Sequence, residues 1–168
     1  MKKIRAFVFV TGLILSGCCS EDFVTPRNYD FREGAIDVTS LIILSGSCFG
    51  DAPNYSTVGA TPDGSGGDCW SNSGPLHNVW FKFKAPESEN GSIIVYVGGS
   101  SGTQRRTLLA LWDTDGVTQL DCATFSNDDD NVSIYDGGWK ADEYYYFSVD
   151  VQDSQSVGTF SLCLTDTD

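Results

Sequence analysis

The chain has 168 residues, with 23 acidic and ten basic side chains, and its formal net charge is −13. A surface with this charge repels phosphate backbones and anionic headgroups, which disfavours nucleic acids and peripheral membrane binding as partners. Divalent cations fit such a surface as ligands, and solubility outside the cell is the simpler explanation of the excess of carboxylates.

The first residues predict export. The basic start MKKIR precedes the apolar stretch 6–15, which is shorter than the roughly 20 residues of a membrane-spanning helix and fits a secretory signal. The four residues LSGC that end at Cys18 resemble the lipobox of bacterial lipoproteins. The resemblance implies cleavage after residue 17, lipidation of Cys18 and anchoring in the outer membrane. An ordinary signal peptide, with a plain thiol at Cys18, is the alternative.

Residues 18–33 are polar and contain Pro26, which predicts a flexible, lipidated tether. The acids Glu21 and Asp22 resemble the export signal with which some Gram-negative bacteria display lipoproteins on the cell surface; a solvated acidic tether is the alternative. Removal of residues 1–17 takes away three of the ten basic residues and none of the 23 acidic ones, so the mature net charge is −16. The 151 residues that remain suffice for one domain.

Beyond residue 33, apolar and polar residues alternate with the period of two that half-buried β-strands require. The alternation is clearest in 79–84, 144–151 and 159–164, and shorter candidate strands are 36–44, 57–60, 92–97, 107–112, 119–123 and 132–135. Gly, Asp, Asn and Pro mark the turns between them. We therefore predict an all-β fold over residues 34–168, an antiparallel β-sandwich or jelly roll of about eight or nine strands, because two stacked sheets bury the alternating faces.

Four cysteines lie in this domain, namely Cys48, Cys69, Cys122 and Cys163. In an exported protein they predict two disulfides, since a zinc site is disfavoured by the single histidine and the lack of a CxxC pair. Of the three possible pairings we favour Cys48–Cys69, which would close the Gly-rich loop that ends at Trp70, and Cys122–Cys163, which would tie the last strand to an earlier one. Each closure would contribute roughly 2–4 kcal/mol.

Eight short segments follow one another along the domain: GAIDV at 34–38, VGATPD at 58–63, CW at 69–70, NVWFKFKAP at 78–86, LALWD at 109–113, LDC at 120–122, YYYFSV at 144–149 and GTFSLC at 158–163. Their order resembles the pre-peptidase C-terminal (PPC-like) β-sandwich family, accessory modules of secreted bacterial proteases and surface proteins. The resemblance covers about residues 34–165. Such modules usually accompany a catalytic or adhesive domain, so we expect either a free-standing version or a fragment of a longer chain.

Calcium is the cofactor that the acidic loops would suit, although the predicted fold requires none. Asp113 and Asp115 stand in one loop and Asp128, Asp129 and Asp130 in another, and carboxylate oxygens are ligands that calcium prefers. Members of the resembled family sometimes bind calcium near acidic loops. Neither run completes an EF-hand pattern, and acidic turns without a metal are the alternative. The three consecutive aspartates 128–130 are the favoured ligands.

Exposed aromatic side chains would predict carbohydrate binding, because sugar rings stack on them. Trp70 and Trp139 lie in or beside Gly-rich loops and are the candidate ligand-binding residues, with a place in the core as the alternative. Alternation places Trp80 on the face of its strand opposite the core, whereas Trp112 is expected inside the core.

Catalysis is disfavoured, since a Ser/His/Asp triad would have to use His77, the single histidine of the chain. We predict no catalytic residue and expect a non-catalytic binding or adhesion module on the cell surface, recognising extracellular polysaccharide or protein. A structural spacer or assembly subunit without a small ligand is the alternative. A cryptic hydrolase that depends on His77 is a weaker one.

Overall fold

The computed structural model of the chain describes residues 29–44, 55–72, 74–86, 92–98, 102–127 and 129–166. These residues form two sheets and two short 3-10 turns, Arg32–Gly34 and Thr39–Leu41, without an α-helix, which confirms the predicted all-β class. The ten strands are β1 (Ile36–Asp37), β2 (Ile42–Leu44), β3 (Tyr55–Ser56), β4 (Val79–Lys84), β5 (Ser92–Gly98), β6 (Thr107–Trp112), β7 (Gln119–Thr124), β8 (Val132–Gly137), β9 (Tyr144–Val151) and β10 (Thr159–Asp166). Within these ranges, no helix has the length and apolar character that a membrane span requires.

The first sheet has five strands in the order β1-β4-β9-β6-β7. Strands β4, β9, β6 and β7 pair antiparallel, and the register places Phe81 opposite Phe147 and Leu109 opposite Val149. The short β1 joins β4 in parallel, so this edge of the sheet departs from the purely antiparallel arrangement that we predicted.

The second sheet has the order β2-β10-β5-β8, with β3 also paired to β10. Here too the added N-terminal strand, β2, runs parallel to its neighbour β10. The stretch 36–44, predicted as one strand, is thus divided between the two sheets. The physical reason is local: the Asp37 carboxylate accepts hydrogen bonds from the Thr39 backbone N–H at 3.0 Å and from the Thr39 hydroxyl group at 2.6 Å, which favours a turn over a continuous strand.

The two sheets share one hydrophobic core, to which β4, β6 and β9 of the first sheet and β5, β8 and β10 of the second contribute. At its centre Phe81 stacks on Phe147, with ring centroids 5.1 Å apart, and meets Phe160 edge-on at 6.1 Å. Tyr29 is fully buried in this core, and its hydroxyl group donates to the Ser56 carbonyl and lies 3.1 Å from the Ser56 N–H. Tyr29, which the sequence predicted to lie in a flexible tether, is therefore part of the core.

A second hydrophobic cluster lies on the other face of the first sheet. Trp80 of β4 and Trp112 of β6 meet there with ring centroids 5.8 Å apart, and Trp70 covers them from the Gly-rich loop before β4. Trp80, predicted on the face away from the core, is only 1% exposed. Glycine permits this cover, because a Cβ at Gly67 would stand 2.8 Å from Nε1 of Trp70.

The disulfide within the described ranges joins Cys69 of the Gly-rich loop to Cys122 of β7. The predicted pairs Cys48–Cys69 and Cys122–Cys163 are therefore wrong. The reason is the second hydrophobic cluster: Trp70 packs there with Ala110 of β6, and Ala110 pairs with Cys122, so the loop carries Cys69 to β7. Cys163 of β10 is disulfide-bonded as well, and Cys48 lies outside the described residues.

Candidate ligand-binding groove

Loops from both sheets meet at one end of the molecule, which we call the loop end. Strands β4, β6, β8 and β10 begin there, and β5, β7 and β9 finish there. Backbone hydrogen bonds join these loops: Thr57 N–H donates to Gly158 O at 2.9 Å, and Gln152 N–H donates to Arg106 O at 3.1 Å. Loops held on a rigid sheet scaffold are the usual place for recognition.

A buried polar network fixes the loop end from below. Gln104 is fully buried; its Oε1 accepts from the Thr57 hydroxyl group at 2.8 Å, and its Nε2 donates to the Thr107 hydroxyl group at 3.1 Å. The Thr57 hydroxyl oxygen also accepts from Gly158 N–H at 3.2 Å. Buried polar networks whose members are satisfied rigidify the segments that they join, so the surface above this one is preorganised.

An open groove of about 400 Å³ lies at the loop end beside the disulfide, and we call it the disulfide groove. Its lining carries three hydroxyl groups, two amides and one aromatic ring: the lining residues are Cys69, Ser71, Thr124, Phe125, Ser126, Asn127 and Gln152. None of these side chains is charged, since Cys69 is tied up in the disulfide. The groove therefore presents neutral hydrogen-bonding groups to a ligand.

Gln152 fixes one wall of the groove. Its Oε1 accepts from the Ser71 hydroxyl group at 2.9 Å, and its Nε2 donates to Asn72 Oδ1 at 2.8 Å. Its backbone carbonyl accepts from Asn72 Nδ2 at 3.1 Å. Asn72 and Trp70 line a smaller pocket of about 250 Å³, together with Asp68 and three glycines. Gln152 thus connects the groove to this second pocket.

Arg106 stands at the rim of the groove, with its guanidinium carbon 4.9 Å from the centroid of the Phe125 ring. Its Nη1 donates to Asp153 Oδ2 at 2.6 Å, and its backbone N–H donates to Asp130 Oδ1 at 2.7 Å. The φ of Arg106 is +51°, a left-handed backbone conformation that residues other than glycine rarely adopt. A hydrogen bond from the Ser156 hydroxyl group, with further bonds from the Gln155 N–H and Arg106, holds the pKa of Asp153 below its ordinary value.

A scan against models of known protein families found no match, and a search of the curated proteins found no relative. The chemistry of the groove therefore carries the functional proposal. Sequence reasoning missed Gln152 and Asn127, because the groove combines three segments, at 69–71, 124–127 and 152, that are far apart along the chain. The pair Cys69 and Cys122 was the signal in the sequence that could have indicated the groove, since a disulfide between them brings together the polar side chains that follow each cysteine.

His77 bridges two parts of the loop end. Its Nε2 lies 2.9 Å from the Ser154 hydroxyl oxygen, and its Nδ1 lies 2.9 Å from the Ala60 carbonyl oxygen. A carbonyl only accepts hydrogen bonds, so Nδ1 carries a proton and, in the neutral ring, Nε2 accepts from Ser154. Asp150 holds the backbone of His77 in place, accepting from its N–H at 2.8 Å.

The structure places both predicted ligand-binding tryptophans in the interior. Trp70 is 5% exposed, and its Nε1 donates to the Leu109 carbonyl at 3.3 Å. Trp139 is 4% exposed and packs edge-on against Tyr145, with ring centroids 4.5 Å apart. Neither indole offers an open face on which a sugar ring would stack. Trp112 is buried as predicted, but it lies beside Trp80 in the second hydrophobic cluster and not in the core between the two sheets.

The candidate calcium ligands lie in two separate places. Asp113 and Asp115 occupy the turn between β6 and β7, at the end of the sheets opposite the groove, where Asp115 Oδ1 accepts from the Thr118 and Val117 N–H groups at 2.8 Å. Those hydrogen bonds, led by the backbone N–H of Thr118, hold the pKa of Asp115 below its ordinary value.

The second set lies in the loop before β8. Asp129 Oδ1 accepts from the Asn131 N–H at 2.9 Å, and Asp130 binds Arg105 and the backbone of Arg106. Asp128 lies outside the described residues. In the part of the chain that the structure describes, no three His, Cys, Asp or Glu side chains are grouped as metal ligands.

Proposed function

We propose that this protein is a non-catalytic binding module, displayed on a bacterial surface through a lipid on Cys18, and that it recognises extracellular polysaccharide or protein at the disulfide groove. The groove carries this proposal: it is open, has a volume of about 400 Å³ and is lined by hydroxyl and amide groups. Ligand sites typically measure about 300–1,000 Å³. Hydroxyl and amide side chains both donate and accept hydrogen bonds, as sugar hydroxyls and peptide groups do.

The lining of the groove also supports binding over hydrolysis. General acid–base catalysis needs a titratable group within hydrogen-bond reach of the reacting atoms. None of the seven lining side chains is titratable, since Cys69 is disulfide-bonded, and Asp153 at the rim is engaged by Arg106, Ser156 and Gln155. The preorganised loops favour recognition, because a ligand that binds them orders few further groups.

The proposal includes a β-sandwich of the PPC-like family. Two sheets that share one hydrophobic core support the sandwich, and the order of the sequence segments supports the family. We propose Cys48 as the partner of Cys163, because Cys69 and Cys122 bond each other and both Cys18 and Cys19 lie in the predicted lipidated tether. Calcium, bound at 128–130, would act by fixing the loop whose Asp130 holds Arg105 and Arg106.

Isothermal titration of the mature protein in detergent, against polysaccharides and matrix proteins, tests the proposal. We expect saturable binding to at least one ligand and, for Gln152→Ala and Asn127→Ala, affinities about tenfold weaker, because each loses a hydrogen-bonding group of the groove. Thr114→Ala, in an exposed turn at the opposite end, is the matched control and should bind as the unmodified protein does. Repeating the titration in chelator tests the calcium assignment.

A structural or assembly role is the second candidate, favoured by one feature of the sheet edges. Val117 and Leu120, beside and on β7, are 60% and 40% exposed, and Tyr135 on β8 is 63% exposed. Strands β7 and β8 are the last in the strand orders of their sheets, and such edges are available to a partner chain. Co-purification with a larger surface complex that Leu120→Lys or Tyr135→Ser abolishes, in a protein without any soluble ligand, would favour this role.

A further inference from the structure

We infer that the disulfide groove selects neutral glycans over acidic ones, an inference that rests on the proposed binding function. The observation that points to it is the charge at the rim. Arg106 is bonded to Asp153 at 2.6 Å, and Arg105 lies 3.4 Å from Asp130. Both arginines next to the groove are thus paired with a carboxylate that belongs to the protein.

An acidic glycan would have to compete with these carboxylates. Its carboxylate or sulfate group would displace Asp153 from Arg106, at a rim where Asp129 and Asp130 add further negative charge. The proposed mature chain, with its net charge of −16, also lowers the local concentration of any polyanion around the groove. Both effects disfavour uronic-acid and sulfated polymers.

The same pair suits neutral sugar hydroxyls. Hydrogen bonds from Ser156, Gln155 and Arg106 keep Asp153 ionised, and they take three of the roughly four acceptor sites of its carboxylate. One acceptor site of Asp153 therefore remains for a sugar hydroxyl group, and the guanidinium group of Arg106 has further N–H donors for a neighbouring one. Gln152, adjacent to Asp153 in sequence, lines the groove, where its amide group is held by Ser71 and Asn72.

Phe125 contributes shape more than stacking. The guanidinium group of Arg106 already lies over its ring, so a pyranose does not gain that face. Recognition by the groove then depends on hydrogen bonds between neutral groups and one charge-assisted pair, and salt screens such contacts less than it screens attraction between net charges. A neutral glycan should accordingly bind with little dependence on ionic strength.

The test is titration of the mature protein in detergent with dextran and mannan as neutral glycans and with alginate and heparin as acidic ones, at low and high salt. We expect a neutral glycan to bind, with a Kd that salt changes less than about twofold. Asp153→Asn and Arg106→Gln should each weaken this binding by about tenfold or more, because hydrogen bonds to charged groups are strong. Lys140→Gln, an exposed change at the opposite end, is the control for charge.

The outcomes separate the inference from the function on which it rests. Binding of alginate or heparin that salt abolishes, or binding of a matrix protein without any glycan, would overturn the inference and leave the binding module standing. No binding to any glycan or protein, by a sample whose near-ultraviolet circular dichroism shows packed tryptophans, would overturn both. Asp153→Asn preserves the shape of the side chain and decides the question if Arg106→Gln does not fold.

Discussion

Asp150 shows how one buried carboxylate organises the loop end. Its oxygens accept hydrogen bonds from the N–H groups of Leu76, His77 and Val151, at 2.7 to 2.8 Å, and so fix the entry of the chain into β4. Burial raises the pKa of Asp150, although these three bonds oppose the shift. The carboxylate is therefore a positioning group for the loops and is not one of the residues that line the groove.

Asp150→Asn is expected to lower the free energy of unfolding by about 1–3 kcal/mol, because the amide nitrogen cannot accept a hydrogen bond and leaves at least one of these three N–H groups without its partner. Urea denaturation followed by tryptophan fluorescence measures the change. Asp142→Asn, which alters an exposed ion pair with Lys84, should change the stability by less than about 1 kcal/mol. Equal effects of the two substitutions would contradict the role assigned to Asp150.

Tyr29 gives the fold a dependence on alkaline pH. Burial raises the pKa of Tyr29 to about 12, so the folded state favours the neutral phenol. Its contribution to stability is complete below about pH 10, the pKa of an unfolded tyrosine, and is lost as the pH rises towards 12. We expect the free energy of unfolding to fall by up to about 3 kcal/mol over that interval. Urea denaturation between pH 8 and 11.5 tests this, and Tyr29→Phe should make the fall smaller; Tyr55, whose pKa is also raised by burial, contributes to the fall that remains.

At the scale of elements, the Gly-rich loop before β4 covers the second hydrophobic cluster on the first sheet. Gly67→Ala is expected to destabilise the fold by about 1–3 kcal/mol, because its Cβ would stand 2.8 Å from Trp70 Nε1 and 3.1 Å from the Ala110 Cβ. Thermal unfolding and the tryptophan emission maximum report the change. Gly74→Ala is the matched control in the same loop, since its Cβ would meet no atom within 4 Å. A loss as large for Gly74→Ala would show that the close contact with Trp70 is not the cause.

The disulfide between Cys69 and Cys122 holds this loop to β7. Loop-closure entropy for a separation of 53 residues corresponds to about 4 kcal/mol, so Cys69→Ser with Cys122→Ser should lower the stability by an amount of that order. Proteolysis without reduction, followed by mass spectrometry, should recover one linked peptide that contains Cys69 and Cys122. A peptide that links Cys48 to Cys69 would contradict the assignment.

Alternation predicted the strands well where one face of a strand meets the core. The bounds of β4 and β9 follow from apolar side chains at every second residue, and a continuous apolar run marks β6. It did not predict that 57–60 forms a turn beside β3, nor that a loop covers Trp80, because periodicity says nothing about what lies above a strand. The cysteine pairing depends on that same cover and was missed for the same reason.

For the whole molecule, the main prediction concerns the anchor. Cys18→Ala should abolish lipidation, so that the protein leaves the membrane fraction and its mass lacks the acyl chains, because stable anchoring needs more than one chain attached to the protein. Fractionation of cells followed by intact-mass measurement tests this. Cys19→Ala, one residue further on, should remain in the membrane fraction. Unchanged partitioning of Cys18→Ala would rule out the lipobox.

The position of Tyr29 has a mechanical consequence. Its carbonyl accepts from the Trp80 N–H at 2.8 Å, and the next residue, Asp30, accepts from Thr61 at 2.6 Å, so Tyr29 and Asp30 are held at the loop end, where the groove also lies. We expect a pull between a ligand in the groove and Tyr29 to run across the loop end and not along the strands. We therefore expect the force to act on the hydrogen bonds between the loops and on the Cys69–Cys122 disulfide before it acts on the hydrogen bonds within the two sheets.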